Sequence, residues 1–330
     1  MNSFVRQPMF HPTSVVFVDD NADFLDGLRG VVSDRELNRF FTDPLVALDF
    51  VVSHDRGVPH ARIAGPEYSE VERGGAHALG RDALDDDARF EDIAAVVVDY
   101  EMPEIDGIRF LESISDIACA KILLTGAAGD SEAVTAFNAG LIDFYLRKGD
   151  PAMPVKLAAV LADAKKKHCN LRGCIGVHGV GSTYCDPRVV RLLDECVAEG
   201  RCVEYYWRSE QNVVLMFDGQ GDPTVFVAWD ADEWAFQCDT VVDAGGPDWL
   251  LRGLQRREMM PVFWPSQAYR PGSSSVRTVE PVPVPDWEDA FYCLAPLGLS
   301  EIEPAMLSFA AWKAARRGAV RAAIENAVRR

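Results

Sequence analysis

A chain of 330 residues with 48% hydrophobic and 10% aromatic content can bury a full core, and its length predicts two domains. That composition excludes a disordered chain, and the scattered cysteines exclude a secreted disulfide scaffold, so reduced thiols in a cytoplasmic protein are the expectation. Net charge is −18, and residues 1–150 hold 28 acidic against 13 basic side chains, a balance that repels nucleic acid and favours cations or basic partners. The opening MNSFVRQPMFHP has no apolar run of signal-peptide length, and no run elsewhere is long enough to span a membrane.

In chain order, Ser14 to Val18 reads as a fully buried strand that stops at Asp19-Asp20-Asn21. A helix follows, with Phe24, Leu25, Leu28, Val31 and Val32 on one face. Arg39-Phe40-Phe41 is a second strand, and Asp43-Pro44 starts a helix through Leu45, Val46, Leu48 and Val51. The run AAVVVD stops at Asp99, and Asp106-Gly107 reads as turn chemistry before a helix through Phe110, Leu111 and Ile114. Lys121 to Leu124 stops at Thr125, an amphipathic stretch ends at Ala139-Gly140, and Asp143 to Leu146 reaches Arg147-Lys148. Val155 to Lys167 closes the series as a helix. Five strand–helix alternations predict a parallel sheet wrapped by helices on both faces.

Such sheets gather functional groups outside the carboxyl ends of their strands. Here those ends offer Asp19, Asp20, Asp99, Thr125 and Lys148. Three carboxylates so close cannot all stay ionised unless a cation shares the site, and Mg²⁺ completed by water suits them. Asp99 beside a metal, a hydroxyl and an ammonium suits nucleophilic attack on phosphorus to give an acyl phosphate. Lys148 and the metal would neutralise the phosphoryl oxygens, with Thr125 donating a hydrogen bond.

With VDDN (18–21), DYEMPEIDG (99–107), LLTG (123–126) and AG…DFYLRK (139–148) in this order, residues 14 to about 165 resemble the receiver domain of two-component response regulators. The resemblance implies a flavodoxin-like fold with Asp99 as phospho-acceptor. It puts Asp19, Asp20, Asp99 and the Glu101 backbone carbonyl at Mg²⁺. Thr125 becomes the hydroxyl that reorients, Lys148 its cationic companion and Tyr145 the switch aromatic. A histidine kinase or phosphotransfer protein is then the phosphodonor, and the receiver catalyses only its own phosphorylation and dephosphorylation.

Three features depart from that pattern. An insertion at about 53–90, rich in glycine, proline and charge, reads as a surface excursion, with a docking flap as the functional alternative. Gly149 follows Lys148 where the family has proline, so the cis peptide usual there is not expected. One extra residue also sits between Gly140 and Lys148, which loosens the Tyr145 assignment.

The sequence divides into a receiver at 1–167 and an output domain at 168–330. Val203–Trp207, Val213–Phe217 and Thr224–Trp229 predict an antiparallel meander, with helices at 186–198 and 248–257, giving an α+β module with a fold-level likeness to PAS or GAF sensors. Arg270 to Asp286 reads as an extended loop. Cys169, Cys174, His178 and Cys185 match no standard zinc spacing, and buried or loop thiols are the simpler reading. The helix from Pro304 to Arg330 is basic, and packing through Phe309, Trp312, Val320 and Ile324 is weighed against contact with an acidic partner or nucleic acid. The expectation is a response regulator whose output works through interdomain or homodimer contacts. A DNA-binding regulator, opposed by the net charge, and a receiver-controlled enzyme are the alternatives.

Overall fold

The computed structural model describes residues 5–6, 8–32, 37–57, 86–126, 130–172, 175–176, 182–208, 211–272, 276–303 and 306–328. The insertion expected at 53–90 falls largely outside them, as do Cys174, His178 and the side chains of Val320 and Ile324. The described chain forms two compact units, one at 12–57 and 88–172 and the other from the remaining segments. The split therefore differs from the one read at 167. The opening strands β1 (Val5–Arg6) and β2 (Met9–Phe10) belong with the later half, because both make their sheet hydrogen bonds there.

In the first unit, β3 (Ser14–Val18), β4 (Arg39–Phe41), β5 (Ile93–Asp99), β6 (Ala120–Thr125) and β7 (Phe144–Arg147) make a parallel sheet in the order 4-3-5-6-7. Every residue of β3 and β5 is buried, as their unbroken apolar runs require when helices cover both faces. Between the strands lie α1 (Ala22–Val31), α2 (Pro44–Ser53), α3 (Gly107–Ser113) and α4 (Asp130–Asn138), and α5 (Met153–Arg172) closes the unit. One core layer sets α2 and α3 against the sheet, and the other sets α1 and α5 against it. Of the α1 face, Leu25, Leu28 and Val32 are buried, but Val31 is exposed. At the amino ends of the strands, buried Asp92 pairs with Arg172 at 2.9 Å and Arg56 at 3.2 Å, and its backbone carbonyl accepts from Ser14 N–H at 2.8 Å. The chain enters and leaves this unit on one residue.

The second unit continues through β8 (Ile175–Gly176) and α6 (Pro187–Ala198) to the meander β9 (Glu204–Arg208), β10 (Val213–Phe217) and β11 (Pro223–Trp229). After it come α7 (Ala231–Asp243), α8 (Asp248–Gln255), β12 (Met260–Val262), β13 (Arg277–Val279), β14 (Val282–Pro283) and β15 (Phe291–Pro296). Its main sheet is antiparallel with order 14-15-11-10-9-2. Alternation along the meander feeds two cores: Tyr205, Trp207, Val214 and Met216 pack with α6, whereas Tyr206, Leu215 and Val225 pack with α7 and α8. The stretch read as an extended loop contributes β13 and β14, short strands that its prolines keep at sheet margins. The final helix, α9 (Phe309–Val328), is rooted through Phe309 and Trp312, both buried. Glu204, fully buried, accepts Phe309 N–H at 2.6 Å and the Tyr206 hydroxyl at 2.7 Å, so a carboxylate caps the helix from inside the sheet.

Candidate phosphoryl-acceptor site

The carboxyl edge of the parallel sheet gathers the strand-end residues. Asp19 follows β3, Asp99 ends β5, Thr125 ends β6 and Lys148 follows β7. Backbone bonds hold the edge together: Tyr100 N–H donates to Leu124 O at 2.8 Å and Lys148 N–H to Thr125 O at 2.9 Å. Asp106 caps α3 by accepting Arg109 N–H at 2.9 Å. Gly107 has a different task from the turn role read for it. A Cβ there would stand 2.2 Å from the Asp99 carbonyl oxygen and 2.8 Å from Leu123 Cδ1, so glycine lets α3 start directly against the end of β5.

Carboxylate oxygens of Asp19, Asp20 and Asp99 all lie within 4.8 Å of one another. Asp19 and Asp99 are buried, and Asp20 is exposed. Lys148 Nζ stands 2.6 Å from Asp19 Oδ2 and 2.8 Å from Asp99 Oδ2. Desolvation raises the Asp99 pKa against the opposing pull of Lys148, and the neighbouring Asp19 charge raises it further. Burial alone would lower the Lys148 pKa, but its hydrogen bonds to Asp19 and Asp99 overcome that and hold it above the usual lysine value. One ammonium among three carboxylates leaves an excess of negative charge. With oxygen-only donors, that excess fits a hard divalent cation.

Asp20, Tyr100, Glu101, Met102, Pro103 and Asp106 line an open depression of about 490 Å³ beside the cluster. Thr125 Oγ1 is buried without a hydrogen-bond partner among the described residues, a hydroxyl held in reserve. Tyr145 is 37% exposed, its ring edge-on to Phe137 with centroids 6.3 Å apart. Asp19, Asp20, Asp99, Thr125 and Lys148 thus converge, while Tyr145 lies apart from them on β7 at the sheet margin. A residue that strand-end reasoning missed also belongs here: Phe24 of α1, whose ring centroid is 4.6 Å from Lys148 Nζ. Its periodicity marked it only as apolar.

The cis peptide usual after the lysine is absent, since Trp264–Pro265 supplies the cis bond among the described residues. Of the cysteine group, Cys169 is buried and Cys185 half-buried. Among the described residues, the acidic triad is the group arranged for a metal ion. No helix among them is long and apolar enough to cross a membrane.

No family model matches the chain, and no curated protein does. Solved structures do. The Legionella pneumophila response regulator LqsR matches at a TM-score of 0.68 and 23% identity, over 91% of this chain and 94% of its own. The fold is that of a response regulator. Receiver domains also match part of the chain: one from Clostridium thermocellum at 18% identity over 47% of this chain and 96% of its own, with a TM-score of 0.33. A CheY-like domain from Methanospirillum hungatei matches at 16% identity over 48% and 96%, with a TM-score of 0.32. The five-stranded unit is a receiver fold, and LqsR is similar through both units.

Proposed function

We propose that this receiver takes a phosphoryl group onto Asp99 from a histidine kinase or phosphotransfer protein and thereby switches the second unit. The observation that carries the reading is the Asp99 carboxylate, desolvated at a strand end between an acidic pair and one ammonium. Asp19, Asp20, Asp99 and the Glu101 carbonyl would hold Mg²⁺, which supplies positive charge opposite the phosphoryl oxygens. An Asp99 Oδ attacks phosphorus, a new O–P bond forms, and the bond from phosphorus to the donor breaks with its electron pair leaving on the donor. Lys148, already protonated, exchanges an Asp99 contact for a phosphoryl oxygen, and Thr125 brings its unused hydroxyl to the same group.

Rotation of Thr125 reshapes the surface around Tyr145, and contacts of that face with another receiver or a partner pass the signal on. Chemistry in this receiver is limited to forming and hydrolysing its own acyl phosphate, in the cytoplasm. The test is intact-mass spectrometry of the full chain after incubation with Mg²⁺ and acetyl phosphate, beside an Asp99→Asn control. Gain of one phosphoryl group by the wild type alone supports the reading. Equal mass in both, under conditions that label an ordinary receiver, overturns it and leaves a phosphate-independent scaffold.

A further inference from the structure

Lys148 is held from three directions. Two are the Asp19 and Asp99 carboxylates, at 2.6 and 2.8 Å. The third is the Phe24 ring, 4.6 Å from the ammonium to its centroid. The ring is itself placed by the acidic pair's own loop. Asn21 N–H donates to Asp19 Oδ1 at 3.0 Å, and Asn21 Oδ1 accepts Phe24 N–H at 3.1 Å as the cap of α1. Asp19, Asn21, Phe24 and Lys148 therefore form a closed circuit in which each member fixes the next.

Resting on the phospho-acceptor reading of Asp99, we propose that Phe24 is a positioning residue for phosphoryl transfer, aiming Lys148 at the acyl phosphate oxygens. A lysine ammonium rides on a flexible four-carbon stem and is strongly hydrated, so left alone it samples many positions. The face of an aromatic ring attracts a cation through its quadrupole and keeps water off that side. Lys148 can then slide from carboxylate to phosphoryl oxygen while staying over the ring, and its charge arrives without a search. An aliphatic side chain at this position packs against the same core cluster but offers no such attraction. Phe24 touches no reacting atom; it acts through Lys148.

The experiment compares full-length wild type, Phe24→Leu and Phe24→Tyr, measuring phosphoryl gain by intact mass across acetyl phosphate concentrations with Mg²⁺ present. Thermal unfolding by circular dichroism runs on the same samples. The expected result is a maximal rate about fivefold lower in Phe24→Leu, the size of a partly desolvated cation–ring contact, with the half-saturating donor concentration unchanged. Phe24→Tyr, which keeps the ring, stays within about twofold of wild type. In a Lys148→Ala background, Phe24→Leu lowers the residual rate no further. A Leu variant as fast as wild type overturns the proposal. So do Leu and Tyr variants slowed alike, or a Leu penalty that persists without Lys148. A wild type that gains no phosphoryl group defeats the underlying site reading instead, and the two failures are told apart by that control.

Discussion

Asp99 pays for its position in folding stability. Its pKa is raised chiefly by desolvation, so the folded chain holds its proton more tightly than the unfolded chain does. The contribution is therefore favourable in acid and is lost as pH rises through the carboxylate range, leaving an ionised, poorly solvated group at neutral pH. Asp99→Asn should raise the melting temperature at pH 7 by a few degrees and gain less near pH 4; a lower melting temperature at pH 7 would contradict this. Two thiols follow the same sign at higher pH. Burial pushes Cys202 and Cys293 up to about 12 from a usual 9.0. Both stay neutral in the folded chain, so their support is complete below pH 9 and erodes between pH 9 and 12. A maleimide at pH 7.5 should leave both unmodified in native protein and label them in urea, read by peptide mass mapping.

At the scale of elements, the decisive contact is α3 starting against β5. A methyl group added at Gly107 would press on the Asp99 carbonyl, a backbone atom that cannot rotate away. Gly107→Ala should cost about 2 kcal/mol or more in urea unfolding and slow phosphorylation by displacing Asp99, whereas Gly126→Ala, with open space at its Cβ, should do neither. The receiver elements were legible in sequence because fully buried strands read as unbroken apolar runs that break off at charge. Asp19 and Asp99 needed no more than that, whereas Lys148 follows β7, whose residues alternate between half-buried and exposed. Phe24 was not legible as part of the site, since a helical period says which face is apolar and nothing about what stands over it. Two elements of the second unit escaped for a related reason. In α7 the sheet-facing residues are Trp234, Gln237 and Val241, and a buried glutamine breaks the apolar stripe. Gln237 is accommodated there by donating to Glu233 Oε1 at 2.9 Å and Gln267 O at 3.0 Å. Strand β15 ends in a proline and buries only alternate residues, too faint a signal over six positions.

For the whole molecule, the opening strands change what counts as a domain. The pair Met9↔Tyr206 and Phe10↔Tyr205 makes β2 the edge of the second unit's sheet, although the receiver intervenes in sequence. Deleting residues 1–11 should lower the unfolding transition assigned to the second unit while the rate of phosphoryl gain stays at the wild-type value. Hydrogen exchange would localise the loss to β9 and β10. Equal protection in both chains would mean that the edge strand is dispensable.

The meeting of Ser14, Arg56 and Arg172 on Asp92 bears on how the chain comes to be made. During synthesis β2 leaves the ribosome long before β9 exists to receive it, and in an unstructured chain the wait would have to be ended by closing a very long loop. Once the intervening receiver has folded, its two chain ends already stand together at Asp92, and the remaining search shrinks to a few residues on either side. Pairing of β2 with β9 is thereby eased by completion of the first unit, which shortens the loop that must be closed.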